Sequence, residues 1–174
     1  TWRVHGGGSK EVSSWCAGSV GKTSPACIWQ QLMWGVAEWT CYSYVFGQPA
    51  GQPWVDELLS RTGPKENIVS LIGELKLEEV PWAIAQMDFY IASDSGNAYI
   101  ADAQQIPVIM LYGPCEVREQ RPVNNVLFIG PDNIAASTFV FATRFKFDQP
   151  AEKLFGLDHD KLTRIQTFIT HNLE

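Results

Sequence analysis

The sequence predicts an α/β fold in which a parallel sheet carries helices on both faces. Strand-like and helix-like segments alternate along the chain, which is typical of this class. Residues 90–114 also form a strand, a tight acidic-Ser-Gly turn, a helix and a second apolar strand that ends in Gly-Pro. Such a unit directs a helix N-terminus toward the carboxyl ends of parallel strands, where open α/β sheets bind anionic ligands.

Composition narrows the class of protein further. The 174 residues suffice for one domain with a real core, and 45% hydrophobic and 18% charged residues are typical of a folded globular protein. The net charge of -6 argues against nucleic acid as a general partner, although a nucleotide needs only a few local donors. No apolar run approaches the length of a membrane span, and no signal peptide is visible.

The first elements follow from local patterns. Residues 1–5 predict a strand, and residues 10–24 predict a loop because they are small and polar and lack periodicity. Ser24 as N-cap and Pro25 at the first helical position begin a helix, in which apolar residues then recur at helical spacing. Residues 39–46 are apolar and aromatic, and they predict a strand.

The later elements alternate in the same way. A proline inside the segment 76–87 requires its helix either to begin late or to kink. The final helix begins near Asp158 or Asp160. The predicted segments, in order, are helix 53–61, strand 67–72, helix 76–87, strand 89–92, helix 96–104, strand 107–112, strand 126–129 and a last helix with Leu162, Ile165, Ile169 and Leu173 on one face.

A possible P-loop lies near the start of the chain. Its pattern is Gly-x4-Gly-Lys-Ser/Thr, and the chain has Gly21, Lys22 and Thr23 in order, but Cys16 stands where the first glycine belongs. A P-loop also follows a buried strand, which residues 9–15 do not predict, and Pro25 stands where its helix should already run. A P-loop NTPase is therefore the weakest of three functional hypotheses.

The acidic turn offers a different anion site. Asp94, Ser95 and Gly96 precede a helix whose first N–H groups and positive dipole end attract anions. Gly96 allows backbone to approach a ligand closely, and Lys22 can supply a point charge for a diphosphate. The alternative is that Asp94 and Ser95 only cap their helix and that Gly96 relieves a tight turn, and the strand–turn–helix unit alone leaves both interpretations open.

These segments resemble the ADP-heptose:lipopolysaccharide heptosyltransferase family, glycosyltransferase family 9. The family pattern Asp-Ser/Thr-Gly-x-x-His-Leu-Ala-x-Ala is matched by residues 94–103, Asp-Ser-Gly-Asn-Ala-Tyr-Ile-Ala-Asp-Ala. Its continuation, x-Pro-x-x-x-Leu-Phe-Gly-Pro, is matched by residues 106–114, Ile-Pro-Val-Ile-Met-Leu-Tyr-Gly-Pro. Residues 74–80 resemble the family's preceding helix start, and residues 22–32 resemble its Lys-x-Trp-Pro segment.

The resemblance implies a Rossmann-like parallel sheet flanked by helices, the C-terminal half of a GT-B glycosyltransferase. We expect residues 1–174 to form a single Rossmann-like domain that binds a nucleotide sugar. In the family the N-terminal domain carries the acceptor site and the general base, and we expect it to be absent from this chain. No catalytic residue is therefore assigned here.

The resemblance also implies a donor site. Lys22 would contact the diphosphate, Asp94 and its neighbours would line the site, Leu75 would lie near the nucleobase, and Gln52 would take the place of a ribose-binding glutamate. The residues expected to bind the donor are Lys22, Asp94, Ser95, Gly96, Asn97, Tyr99, Leu75, Gln52, Gly8 and Ser9. Tyr99 replaces the family's histidine; its phenol can donate a hydrogen bond but is uncharged near neutral pH.

The implied reaction is an inverting transfer of a heptose-like sugar from a nucleoside diphosphate, ADP by family, to lipopolysaccharide or another surface glycan. The partners would be a nucleotide-sugar donor and a glycan or glycolipid acceptor. We expect neither a cofactor nor a metal, since no His or Cys spacing indicates one. The location implied is the cytoplasm, with peripheral association at the inner face of the bacterial inner membrane. The second hypothesis is a non-catalytic nucleotide- or sugar-binding module of the same fold.

Overall fold

A computed structural model describes residues 10–15, 24–36, 41–62, 68–113, 117, 121–132 and 150–173. Within these ranges, six parallel strands form one sheet. The strands are β1 (Lys10–Trp15), β2 (Cys41–Phe46), β3 (Ile68–Ser70), β4 (Phe89–Ser93), β5 (Val108–Leu111) and β6 (Val126–Ile129). The helices are α1 (Ala26–Val36), α2 (Gln52–Thr62), α3 (Val80–Ile84), α4 (Gly96–Ala103), α5 (Ala151–Phe155) and α6 (His159–Leu173). The predicted α/β class is confirmed.

The strand order is β3-β2-β1-β4-β5-β6. The chain builds the sheet outward from β1 to β3, returns to pair β4 with the other side of β1, and then proceeds outward through β5 to β6. The direction of building therefore reverses between β1 and β4. In doubly wound sheets of this order, ligands bind outside the carboxyl ends of the strands at that reversal.

The helices cover both faces of the sheet. On one face, Trp29 of α1 and Ile169 of α6 share a buried cluster with Phe89 and Ile91 of β4. The alternate residues of β4 face the other way, because successive side chains of a strand point to opposite faces.

The opposite face belongs to α3 and α4. Ile84 of α3 and Ala98 of α4 share a second buried cluster with Tyr90 and Ala92 of β4. All five residues of β4 are buried, as expected of a central strand in a sheet covered on both sides. Because α1 and α4 lie on opposite faces, their N-termini stand on either side of the β1–β4 pair.

The prediction of a loop for residues 10–24 is wrong for its first part, because Lys10–Trp15 is the strand β1. This strand contains a lysine, a glutamate and two serines, so its composition gives little β signal. It is specified instead by its neighbours: Val12 is aligned with Ser43 of β2 on one side and with Phe89 of β4 on the other. Pairing within a sheet overrides local propensity here.

Pro81 delays its helix rather than kinking it. Helix α3 runs only from Val80 to Ile84, with Pro81 in its first turn, where the missing N–H has no cost. The preceding turn is closed by the backbone N–H of Lys76, which donates to Glu79 Oε2 at 2.8 Å.

At the other end of the chain, Asp158 begins α6 as predicted. Its Oδ1 accepts from the backbone N–H of Lys161 at 2.8 Å. The short helix α5 has no counterpart in the sequence analysis. The strand predicted at residues 1–5 lies outside the described residues. In the part of the chain that the structure describes, no helix is long and apolar enough to cross a membrane.

Candidate functional site

The turn predicted to bind an anion lies at the reversal point of the sheet. Strand β4 ends at Ser93 and α4 begins at Gly96, so Asp94 and Ser95 stand directly outside the carboxyl end of the strand next to β1. The first N–H groups of α4 therefore point into the crevice at which sheets of this order bind ligands.

Ser95 occupies the N-cap position of α4 without capping it through its side chain. Its backbone is extended, with φ -150° and ψ 156°, and its carbonyl accepts from the N–H of Ala98 at 3.1 Å. Its hydroxyl makes no cap hydrogen bond, and Ser95 Oγ is buried with no partner among the described residues. The proposed role of Ser95 as a simple cap therefore does not account for its hydroxyl, since buried polar groups are normally paired.

A second unpaired hydroxyl lies at the end of β4. Ser93 is fully buried, and its Oγ has no hydrogen-bond partner within the described ranges. Sequence analysis missed Ser93, although its position immediately before the Asp-Ser-Gly turn was a usable signal. Within three residues, two buried serine hydroxyls thus lack a hydrogen-bond partner among the described residues, which is rare for buried polar groups.

Gly96 leaves open space at the start of α4. A Cβ built on Gly96 would meet no atom within 4 Å of the described structure, and the residue is exposed. Its φ is not in the left-handed region, which Gly73 alone occupies among the described glycines. Backbone strain therefore does not require glycine at position 96, and no described atom would prevent a ligand from approaching the backbone there.

Asn97 and Tyr99 project from the first turns of α4. Asn97 is half-buried, and Tyr90 is fully buried in β4. Burial raises the pKa of the Tyr90 phenol, and the Asn97 side chain partly opposes this shift. Tyr99 is half-buried and its hydroxyl oxygen is buried, so the phenol that replaces the family's histidine does not end in open solvent.

Gln52 lies beyond the carboxyl end of β2, and Leu75 lies beyond that of β3. Gln52 is the exposed first residue of α2, and its Nε2 donates to Asp56 Oδ1 at 2.8 Å. Leu75 is half-buried against the cluster on the α3–α4 face. The two connections are tied together, because the N–H of Gly73 donates to the carbonyl of Gly47 at 3.2 Å. The structure thus brings both residues to the same edge of the sheet as Asp94.

Lys22, Gly8 and Ser9 lie outside the described residues, so their assignment to the donor site stays a prediction. Residues 16–23 connect β1 to α1, whose first residue is Ala26.

Strand β1 removes one of the three departures from the P-loop pattern. The strand that residues 9–15 seemed to lack is present as β1, so its absence no longer counts against the pattern. Cys16 at the first glycine position still departs from the pattern, and α1 begins only after Pro25 rather than at the Lys-Thr pair.

Tyr112 is a further residue at this edge that sequence analysis missed. Ser93 is aligned with Leu111, and Leu111 with Ile129, so Tyr112 follows β5 next to the Asp94 turn. Its half-buried ring makes an edge-on contact with Phe128, with centroids 6.5 Å apart, and fills the space beside Gly130. The Tyr112 ring therefore packs toward β6, although its backbone follows the strand beside the Asp94 turn.

Two shallow grooves of about 350 and 370 Å³ run along α6 and share Thr163, Thr167 and His171. They lie on the flank of the sheet rather than at its carboxyl edge. No group of three His, Cys, Asp or Glu side chains that could hold a metal occurs in the described residues.

The strand order and the helices on both faces place the chain in the Rossmann-like class of doubly wound α/β domains. The profile of one family, Glycosyltransferase family 9 (heptosyltransferase), matches residues 12–146. The chain therefore belongs to glycosyltransferase family 9. A search of curated protein sequences found no match.

Solved structures of glycosyltransferases share the fold. E. coli ADP-heptose lps heptosyltransferase II aligns with a TM-score of 0.73 and 16% identity, over 97% of this chain and 49% of that protein. E. coli heptosyltransferase WaaC with ADP aligns with a TM-score of 0.65 and 18% identity, over 94% of this chain and 45% of that one. The iron-containing heptosyltransferase TibC of enterotoxigenic E. coli is a third example. Its structure in complex with ADP-D-beta-D-heptose aligns with a TM-score of 0.66 and 13% identity, over 95% of this chain and 46% of TibC. The chain thus spans about half the length of these enzymes.

Proposed function

We propose that this chain is the donor-binding half of an inverting glycosyltransferase that takes a heptose-like sugar from ADP and delivers it to lipopolysaccharide or another surface glycan. The structures of WaaC with ADP and of TibC with ADP-D-beta-D-heptose support the choice of nucleotide. The proposal places the protein in the cytoplasm, at the inner face of the bacterial inner membrane, where a glycolipid acceptor is accessible.

The observation that carries the proposal is the state of the turn before α4. Among the described residues, the buried Ser95 hydroxyl has no partner, and no atom lies within 4 Å of a Cβ built on Gly96. A helix N-terminus concentrates about half a positive elementary charge, which is worth most against an anion in a partly buried setting. A diphosphate would satisfy both the hydroxyl and the first N–H groups of the helix.

The chemistry needed from this half is stabilisation of the leaving group. When the sugar–phosphate bond breaks, negative charge accumulates on the diphosphate, and donors already fixed in place stabilise it without reorganising. The N–H groups of Gly96 and Asn97 and the hydroxyl of Ser95 would serve as those donors, and Lys22 would add a positive charge. The base that deprotonates the acceptor hydroxyl would come from the other half of the enzyme.

The carboxylate of Asp94 constrains how the donor can sit. A carboxylate repels a diphosphate, so the phosphates should face the start of α4 rather than the Asp94 side chain. Hydroxyl groups of the sugar or ribose are the natural partners of a carboxylate acceptor. The turn would then bind the phosphates by its N–H groups and a hydroxyl of the donor by Asp94.

Calorimetric titration with ADP, in the absence of magnesium, tests the proposal. Ser95→Ala removes one hydrogen bond to a charged group, so we expect ADP to bind roughly 10- to 100-fold more weakly. Gly96→Val fills the open space and should abolish binding. Ser60→Ala is the matched control, because the exposed Ser60 hydroxyl donates to Glu57 O at 2.7 Å, away from the site.

The nucleotide series separates the three hypotheses. Preference for ADP over UDP without magnesium supports the glycosyltransferase proposal, and magnesium-dependent ATP hydrolysis would replace it with a P-loop NTPase. A chain that binds no nucleotide would favour the non-catalytic module, in agreement with Tyr99 in place of the family's histidine.

Lys22→Ala tests the predicted charge. Because an ammonium on the diphosphate contributes a charge-assisted contact, ADP affinity should fall at least about tenfold. Unchanged affinity would remove Lys22 from the site and leave the α4 turn to be judged by Ser95→Ala.

A further inference from the structure

The first turn of α2 carries an exposed, hydrogen-bonded pair of polar side chains. Gln52 is the first residue of α2, and its Nε2 donates to Asp56 Oδ1 at 2.8 Å. An ionised carboxylate can only accept hydrogen bonds, so the NH₂ group must be the part of the Gln52 carboxamide that faces Asp56. The chemistry of its partner therefore fixes the orientation of the carboxamide.

Two oxygen atoms of this pair accept no hydrogen bond from the described residues. They are Gln52 Oε1, on the arm of the carboxamide directed away from Asp56, and Asp56 Oδ2. Both residues are exposed, so a ligand can reach these atoms. The pair carries a net negative charge, which repels a phosphate, whereas the hydroxyl groups of a sugar can donate to both oxygen atoms. Its chemistry therefore suits the nucleoside part of a nucleotide rather than the phosphates.

The pair stands at the edge of the sheet that carries the candidate site. Strand β2 ends at Phe46 and α2 begins at Gln52, so the pair follows the carboxyl end of the strand beside β1. Side chains on a helix lean toward its N-terminus, so the Asp56 carboxylate leans toward this edge as well. Neighbouring strands lie about 4.8 Å apart, which puts the end of β2 about 10 Å from the Asp94 turn at the end of β4. This span is comparable to the reach of a nucleoside diphosphate from its phosphates to its ribose.

The core holds the start of α2 in place. Val55 is buried in a cluster with Val45 and Ile72, which ties the first turn of the helix to β2 and to the segment after β3. The N–H of Gly51 donates to the carbonyl of Gln48 at 2.8 Å, and a Cβ built on Gly51 would lie 3.7 Å from Ile72. A site on a helix anchored in this way keeps its geometry without the ligand.

We infer that Asp56 binds the donor together with Gln52, and that Asp56 Oδ2 and Gln52 Oε1 accept hydrogen bonds from the two neighbouring hydroxyl groups of the ribose. This inference rests on the proposed function and adds Asp56, to which no sequence motif assigned a role. The hydrogen bond between the two side chains holds their acceptor atoms side by side, so each residue also orients the other. In doubly wound dinucleotide-binding domains, an acidic side chain likewise binds a ribose hydroxyl. The pair would select ribonucleotides over deoxyribonucleotides.

Calorimetric titration with ADP, 2′-deoxy-ADP and 3′-deoxy-ADP tests the site. We expect the wild type to bind each deoxynucleotide about three- to tenfold more weakly than ADP, the effect of one hydrogen bond. In Asp56→Ala and in Gln52→Ala, ADP affinity should fall by a similar factor. The preference for ADP over at least one deoxynucleotide should disappear in each variant, because a hydroxyl has lost its acceptor. The double variant should bind all three nucleotides about equally.

Glu57→Ala is the matched control. It removes a carboxylate from the next position of the same helix, so it changes the charge of α2 as Asp56→Ala does. The Glu57 side chain is paired with Arg61 at 2.8 Å and has no part in the proposed site. The control should keep the wild-type preference for ADP over both deoxynucleotides, and this separates hydrogen bonding to the ribose from the general effect of charge on a diphosphate.

The outcomes distinguish this inference from the proposed function. A wild type that binds ADP and both deoxynucleotides equally well would overturn the ribose site alone, and the α4 turn would still be judged by Ser95→Ala. An Asp56→Ala chain that keeps the full preference for ADP would also overturn it, since the pair would then only stabilise the first turn of α2. A wild type that binds no nucleoside diphosphate would overturn the proposed function and this inference together.

Discussion

Asp102 provides the most direct test of how α4 is held against the sheet. It lies in the last turn of α4 and is only 7% exposed. Its Oδ2 accepts from the backbone N–H of Val123 at 3.0 Å and its Oδ1 from that of Asn124 at 2.8 Å. The Asn124 side chain returns a bond to the Asp102 carbonyl at 2.9 Å. The carboxylate therefore joins α4 to the segment that enters β6.

Asp102→Ala leaves two backbone N–H groups without their acceptor. Hydrogen bonds to a charged group contribute about 1.5–3 kcal/mol each, and for part-buried bonds we take the lower value, about 3 kcal/mol for the pair. A carboxylate near a helix C-terminus also destabilises the helix by about 0.5 kcal/mol, because it meets the negative end of the helix dipole. The substitution removes this unfavourable contribution. The expected loss of unfolding free energy is about 2.5 kcal/mol, or about 5–10 °C in Tm for a chain of this size.

Urea and thermal unfolding monitored by circular dichroism measure this loss. Asp102→Asn keeps one carbonyl acceptor and should lose about half as much free energy. Asp160→Ala is the control, because Asp160 is exposed in the first turn of α6 and should cost at most about 1 kcal/mol. A Tm for Asp102→Ala within a degree of the wild type would refute the reasoning.

Three further substitutions have defined outcomes. Gly113→Ala would place a Cβ 2.5 Å from the Phe155 ring and should cost about 1–3 kcal/mol of unfolding free energy, with recovery in the double variant Gly113→Ala/Phe155→Leu. Lys161→Met removes the 2.6 Å ion pair between the buried Lys161 Nζ and Asp132, and denaturation should show a loss of about 1–2 kcal/mol because Asp132 stays solvated. Burial raises the pKa of Tyr90, so the folded state keeps a proton that the unfolded chain releases above about pH 10. Above that pH, the unfolding free energy of the wild type should therefore fall more steeply than that of Tyr90→Phe, by up to about 1.4 kcal/mol for each pH unit. Equal dependence of unfolding free energy on pH in the two proteins would contradict this.

The elements that sequence analysis located best are those with strong local patterns. Strand β6 was predicted with its observed bounds, and β4 and α4 to within a residue, because an apolar run and the acidic Ser-Gly turn delimit them. Asp158 likewise begins α6 as an N-cap. The Asp94 turn and its family motif are similarly local, which is why the candidate site could be placed from the sequence.

The errors arise where tertiary contacts decide. Strand β1 was missed because its polar residues carry no β pattern, and only pairing with β2 and β4 makes it a strand. The Ser93 and Ser95 hydroxyls, which are buried without a partner among the described residues, could not be recognised either, since burial and hydrogen bonding are properties of the packed molecule.

By itself, the sequence determined the α/β class, the Asp-Ser-Gly turn before a helix and the family to which they belong, because each of these is encoded in contiguous residues. Only the tertiary structure decided that this turn stands at the reversal between β1 and β4, that no described atom lies within 4 Å of a Cβ built on Gly96, and that the Tyr90 phenol is buried. The reason is physical: strand order and burial arise from contacts between distant segments, and no local pattern contains them.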